Sequence, residues 1–248
     1  MSGALGVIAG TGFYALAELA EPETFTQSTD YGDARVTSGV LHGRPTYFVS
    51  RHGADHSVPP HMVNYRAMLQ AMVDLGVTEI LAINVVGGIG HDAGALVVVD
   101  DFIDFTKQRP VTFFDGTTPE GVVHIDMGEP YDPRLRDTWI AAAARLGVPV
   151  TPQGIYGAFE GPRFESRAEI RMAAMVGVTV VGMTGVPEVV LAAECAIPYA
   201  SLCIVANPAA GMSSEPITIE EVQEVVARSA ETVSAILGEA AGMLAAAG

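Results

Sequence analysis

The stretch Ala4-Leu5-Gly6-Val7-Ile8-Ala9-Gly10-Thr11-Gly12-Phe13-Tyr14-Ala15 decides the fold class. Six residues with no charge and little polarity have the length and composition of a buried strand, and Gly10-Thr11-Gly12 then opens a tight loop. The same residues fit G-x-G-x-x-A, the dinucleotide-binding fingerprint, with Arg51 available for a 2′-phosphate. That motif requires a helix at once and a second parallel strand about twenty residues on, ending in an acid. Here Pro22 follows ten residues after Gly12, and 34–41 and 45–50 read as a hairpin that ends in Ser50-Arg51. An NADP-dependent oxidoreductase is therefore the rival reading, and a strand opening into an anion-binding glycine turn is the preferred one.

Outward from this strand, apolar runs alternate with helix-period segments. Residues 64–75 place Ala67, Met68, Ala71, Met72 and Leu75 on one face, with Gly76 as the stop. Residues 78–86 and 95–103 read as core strands separated by a break at Gly87-Gly88-Ile89-Gly90. Asp132 caps a helix over 133–146 that starts at Pro133 and stops at Gly147. Strands are expected at 154–159, 178–183 and 199–206, with helices near 166–176 and 187–196. The tail, 218–246, reads as one long helix capped by Thr218 with Glu221 three residues on. The expectation is a single α/β domain over residues 1–248, with a mixed central β-sheet flanked by helices.

Composition narrows the function. The 248 residues carry 13 Lys+Arg against 29 Asp+Glu, a formal charge of −16. Such a field repels nucleic acid and anionic membranes, though not a small anion in a locally positive pocket. Lys107 is the only lysine, and without a Gly-Lys-Ser/Thr triplet there is no P-loop. Cys195 and Cys203 form no Cys-x-x-Cys or Cys/His cluster, which argues against a disulfide framework and a structural zinc. No basic leader or apolar stretch of spanning length is present, so the default is a soluble cytoplasmic protein.

Ligands of such sheets bind at the carboxyl ends of strands. This sequence places there Gly10-Thr11-Gly12, Arg51-His52-Gly53, Asn84 to Gly88, Met183-Thr184 and Asn207. Glycine-turn N–H groups, the hydroxyls of Thr11 and Thr184, and the Arg51 guanidinium suit a phosphate-sized anion. Each alone is also an ordinary turn, and recurrence at successive strand ends is what carries the reading. In Glu160-Gly161-Pro162-Arg163-Phe164-Glu165, Phe164 offers a stacking face and Glu165 an acceptor for a ring N–H, together suiting a flat heterocycle. The plainer reading is a helix start whose Glu complements the dipole while Phe packs in the core. Asn207 donates and accepts at once, and before Pro208 it also serves as a turn residue.

Gly10-Thr11-Gly12, Arg51-His52-Gly53, Asn64-Tyr65, Asn84-Val85-Val86-Gly87-Gly88, Phe102-Ile103-Asp104, Glu160-Gly161-Pro162-Arg163-Phe164 and Met183-Thr184-Gly185-Val186-Pro187-Glu188 occur in the order found in trimeric purine nucleoside phosphorylases. Over nearly the whole chain the sequence resembles that family, and most of all its methylthioadenosine phosphorylase branch. The resemblance implies a pentosyltransferase in purine salvage, with inorganic phosphate as co-substrate and no metal or organic cofactor. It implies that Thr11, Arg51, His52, the Val86 backbone and Thr184 hold phosphate, and that Met183 lies against the ribose. Phe164, Glu165 and Asn207 take the base, Arg51, Glu165 and Asn207 being the catalytic set. His124 resembles a residue that reaches a neighbouring subunit's site in a homotrimer.

Two departures bear on the substrate. Adenine-specific members of the branch carry Asp where this chain has Asn207, and a small polar residue where it has Glu165. A carboxylate accepts from the N1–H of hypoxanthine or guanine and repels the bare N1 of adenine, so both changes point to a 6-oxopurine. At the sugar end, Ile219 stands before Glu220-Glu221-Val222, where inosine/guanosine phosphorylases place a His. An apolar contact there favours a 5′-methylthio group over a hydroxyl. Val85-Val86 also replaces the hydroxyl-bearing Thr-Ala of the methylthioadenosine enzymes. The expected reaction converts S-methyl-5′-thioinosine and phosphate to hypoxanthine and 5-methylthioribose 1-phosphate. The alternatives are an inosine/guanosine phosphorylase, a methylthioadenosine phosphorylase, the oxidoreductase, and a non-catalytic purine-binding protein.

Overall fold

Strand β1 (Ala4–Ala9) is buried on both faces, as its unbroken apolar run requires. Leu5, Val7 and Ala9 enter one apolar layer and Ile8 the other. The computed structural model describes residues 3–13, 16, 18–53 and 57–247, so Tyr14 and Ala15 at the end of the opening motif lie outside the described residues. The remaining elements are β2 (Ala20–Thr29), β3 (Gly32–Leu41), β4 (Arg44–Ser50), α1 (Tyr65–Asp74), β5 (Val77–Gly88), β6 (Leu96–Val98), β7 (Asp101–Asp104), α2 (Pro133–Arg145), β8 (Ile155–Ala158), α3 (Arg167–Met175), β9 (Val180–Gly182), α4 (Gly185–Glu194), β10 (Tyr199–Pro208) and α5 (Ile219–Ala247).

These strands form one mixed sheet in the order β2-β3-β4-β1-β5-β9-β8-β7, with β10 pairing β5 and β6. On one face, α1 and α4 supply Met68, Leu69, Met72, Val189 and Leu191. On the other, α2 and α5 supply Leu135, Trp139, Val233, Ile236 and Leu237. Each fully buried Leu, Ile or Val contributes about 1.5–3 kcal/mol relative to exposure. The expected α/β fold with helices on both sides of a mixed sheet is what forms.

The dinucleotide reading fails here. Strand β4 does run parallel to β1, but the chain reaches it through the antiparallel β2–β3–β4 ribbon, and Arg51 rather than an acid follows its last residue, Ser50. Three elements also differ from expectation. Strand β2, polar and largely exposed, has no counterpart in the sequence reading because an edge strand with Pro22 carries no apolar alternation. The apolar run 95–103 divides between β6, antiparallel to β10, and β7, parallel to β8. Periodicity cannot register that change of partner. Strand β5 continues through Gly87 and Gly88 instead of breaking there. β9, β10 and the loop after β5 crowd that end: a Cβ on Gly87 would stand 3.1 Å from Val181, and one on Gly88 2.7 Å from Val205 and 2.6 Å from the His91 carbonyl oxygen. Glycine lets three strands meet where the site forms.

Candidate active site

The carboxyl ends of β1, β4, β5, β9 and β10 surround one cavity of about 510 Å³. Its wall includes Thr11, Arg51, His52, Val86, Thr184, Phe164, Glu165, Met183, Asn207 and Ile219, all expected at the site from the sequence. His124 is exposed and does not line it. Among the described residues, no group of three or more His, Cys, Asp or Glu is placed to hold a metal ion.

At the glycine-turn end, Gly12 adopts a φ of +82°, and a Cβ there would stand 2.3 Å from Val226 of α5. The turn therefore needs glycine both for its conformation and to let α5 close on it. Arg51 is buried with its guanidinium clamped by Glu188: Nε and Nη2 donate to the two carboxylate oxygens at 2.6 Å each. Nη1 donates to the Ile83 carbonyl at 2.7 Å. A guanidinium has five N–H groups; the remaining two, one on each Nη, face no protein acceptor among the described residues. Tyr199 donates its hydroxyl to Glu188 at 2.7 Å, so the carboxylate is doubly held. Burial works against the Arg51 charge, but Glu188 more than offsets it and holds the pKa above the usual arginine value. The His52 ring packs against Gly10 and donates from Nδ1 to the Val58 carbonyl at 2.8 Å.

Thr184 joins this end from the start of α4. Its hydroxyl donates to Asn84 Oδ1 at 3.1 Å, and Asn84 in turn donates to Ser201 at 2.7 Å. Asn84 thus lies behind the cavity as a support, not in its wall. The backbone N–H groups of Thr184 and Gly185 donate to the buried Tyr156 hydroxyl at 3.2 and 3.1 Å. Burial, the largest cause, pushes the Tyr156 phenol up to about 12, so it stays a neutral support.

Phe164, Glu165 and Asn207 also line the cavity. Phe164 and Glu165 precede α3, whose N-terminus is closed by a capping box between Ser166 and Glu169. Because Ser166 and Glu169 satisfy that helix end, Glu165 is left to face the cavity. Burial raises the Glu165 carboxyl above the ordinary glutamate range. Asn207 sits where the β10–β5 ladder slips, from Val205↔Val86 to Asn207↔Gly87. Such a bulge re-aims a side chain. Asn207 Nδ2 donates one hydrogen to the Pro208 carbonyl at 2.7 Å and keeps a second.

Several contributors were not foreseen. Pro59, Pro60, Val181, Val222 and Gln223 also line the cavity. Gln223 was legible in principle, standing four residues after Ile219 on the same helix face. Glu188 lay inside a quoted motif, but its partner is 137 residues away in sequence and nothing local signals the pair.

Comparison with known proteins identifies the family. The family model described as the phosphorylase superfamily matches residues 4–241. A protein of Methanopyrus kandleri named probable S-methyl-5′-thioinosine phosphorylase is 49% identical over 226 residues, 90% of this chain and 85% of its own. A protein of Dictyoglomus turgidum named probable 6-oxopurine nucleoside phosphorylase is 45% identical over 231 residues, 92% of this chain and 87% of its own. Among solved structures, methylthioadenosine phosphorylase from Schistosoma mansoni in complex with adenine superimposes with a TM-score of 0.94 at 32% identity, covering 99% of this chain and 93% of that one.

Proposed function

The chain belongs to the phosphorylase superfamily, and on that premise we propose that it cleaves 6-oxopurine nucleosides by phosphorolysis, with S-methyl-5′-thioinosine as the preferred substrate. The observation that supports this reading is that Arg51, His52, Thr184, Phe164, Glu165 and Asn207 all line one cavity. In the reaction the C1′–N9 bond breaks and a C1′–O bond to phosphate forms. Positive charge grows on the pentose ring and negative charge on the leaving purine. Phosphate gripped by Thr11, Arg51, His52, Thr184 and main chain at Val86 stabilises the ring and then bonds to it. Met183 forms the wall along the pentose. Phe164 stacks on the purine, Glu165 accepts from N1–H, and Asn207 donates its second amide hydrogen to N7 as charge develops there. His124, exposed beside the exposed Val122 and Val123, would serve the cavity of a neighbouring subunit in a homotrimer. No organic cofactor enters this scheme.

Release of the free base from methylthioinosine, methylthioadenosine, inosine and guanosine, measured side by side with and without phosphate, tests the reading. Phosphate-dependent turnover of the 6-oxopurine substrates is expected, with methylthioadenosine the poorest of the four. Turnover without phosphate, or none of any 6-oxopurine nucleoside, would overturn it.

The acid limb tests Glu165. The ionised carboxylate accepts from N1–H more strongly than the neutral acid does, and its pKa is raised by burial, so kcat/KM for inosine or methylthioinosine is expected to fall as pH drops, beginning above the range of an ordinary glutamate. Glu165→Gln should turn over slowly and lack that limb. An unaltered acid limb in the variant would remove Glu165 from base recognition.

A second reading, an inosine/guanosine phosphorylase, is favoured by one observation. The Gln223 amide lines the same cavity end as Ile219 and Val222 and has no protein partner among the described residues. It can pair with a 5′-hydroxyl, whereas Ile219 and Val222 suit a methylthio group. Gln223→Leu is expected to lower kcat/KM for inosine about five- to tenfold, the worth of one neutral hydrogen bond, and to spare methylthioinosine. An unchanged ratio of the two substrates would deny Gln223 that role.

A further inference from the structure

Arg109 lies outside the cavity wall, in the irregular segment after β7, and its side chain is 1% exposed. All five of its N–H groups are spent on this chain. Nη2 donates to the carbonyls of Phe159 at 3.2 Å and Glu160 at 2.7 Å, and Nε to the Glu160 carboxylate at 3.2 Å. Nη1 donates to the Val186 carbonyl at 2.7 Å and to the Tyr65 hydroxyl at 3.2 Å. That hydroxyl donates onward to the Pro60 carbonyl at 2.9 Å.

These bonds lead to three different segments that supply the cavity wall. Phe159 and Glu160 lead directly into Gly161-Pro162-Arg163-Phe164-Glu165, the base-recognition loop. Val186 follows Met183 and Thr184, and Pro60 lines the cavity itself. The Glu160 carboxylate also accepts from the Lys107 N–H at 2.5 Å, and the Phe105 ring stacks on Phe159 with centroids 4.8 Å apart, so both strands of this junction are fixed. No bond from Arg109 reaches Thr11, Arg51 or His52.

We propose that Arg109 is a positioning residue for base recognition: one buried guanidinium sets the spacing between the Phe164–Glu165 loop, the Met183 wall and Pro60, and meets the phosphate end only through the Val186 carbonyl, two residues past Thr184. A planar fork of five donors can bind several carbonyls at once at fixed angles, which a lysine ammonium cannot. Misplacing groups around a substrate by about 1 Å costs on the order of 10²-fold in rate.

This inference rests on the phosphorolysis reading, and wild type, Arg109→Met, Arg109→Lys and Tyr65→Phe test it together. The readouts are kcat, KM for methylthioinosine and for phosphate, the methylthioinosine to methylthioadenosine ratio, and calorimetric binding of hypoxanthine. Arg109→Met is expected to lower kcat/KM for methylthioinosine on the order of 10²-fold. It should also blunt the 6-oxo preference and weaken hypoxanthine binding, with phosphate KM changing far less than nucleoside KM. Arg109→Lys should recover part of each loss, and Tyr65→Phe should raise nucleoside KM mildly at unchanged phosphate KM. Should Arg109→Met not fold, the other two variants decide. Folded variants whose base preference and nucleoside KM match wild type, or whose phosphate KM rises in parallel, would overturn the inference. A wild-type protein that neither binds hypoxanthine nor turns over a 6-oxopurine nucleoside would instead overturn the functional reading beneath it.

Discussion

Asn207→Ala is expected to lower kcat for methylthioinosine or inosine on the order of 10²–10³-fold, the range for deleting one donor aimed at developing charge. The donor matters because the leaving purine gains negative charge only as the glycosidic bond stretches. A hydrogen bond to N7 is thus stronger in the transition state than in the bound nucleoside, and kcat should fall more than KM rises. The aim of the amide is set by the backbone. The ladder slip between β10 and β5 presents Asn207, and its bond to the Pro208 carbonyl fixes the plane of the amide. Gly87, where a Cβ would stand 3.5 Å from Asn207 Nδ2, leaves room beside it. Asn207→Asp keeps the shape but must be protonated to donate, and its ionised form repels the O6 of a 6-oxopurine. Preference should then move toward 6-aminopurine nucleosides. A loss below tenfold in the alanine variant, or an unmoved base preference in the aspartate variant, would show that Asn207 does not read the purine.

Local rules made much of this molecule readable. Asp132 and Thr218 each accept from a backbone N–H of the helix that follows, as read from their side chains and spacing. β1 reads as buried because its apolar residues do not alternate with polar ones, and the glycine turn after it marks where a ligand can approach. The cavity wall was legible to the extent that it is made of strand ends. What escaped was set by distant partners. Nothing near Arg109 in sequence announces five acceptors drawn from residues 65, 159, 160 and 186. The run 95–103 conceals a change of strand partner, and β2 forms without an apolar pattern because pairing with β3 supplies its backbone bonds. Gln223 fell outside a reading that followed only the position of Ile219 and not its neighbour one turn on.

Glu188→Ala should show the largest loss of stability, about 3–5 kcal/mol in denaturant unfolding, because it strands the Arg51 charge in a dry interior. Neither side chain has any exposed surface, so water cannot replace the lost carboxylate. The Tyr199 hydroxyl loses its acceptor in the same step. Phosphate KM should rise as well, since the bidentate clamp, together with the Nη1 bond to the Ile83 carbonyl, fixes the orientation of the Arg51 guanidinium. A structural origin and a binding origin can be separated with Arg51→Met combined with Glu188→Leu. Apolar replacement of a whole buried pair is often neutral or stabilising, so the double variant should regain most of the lost stability. It should not regain phosphate binding, because the cation is gone. Recovery of phosphate KM in the double variant would mean that the oxyanion is held without Arg51, and that the Arg51–Glu188 pair serves the fold alone.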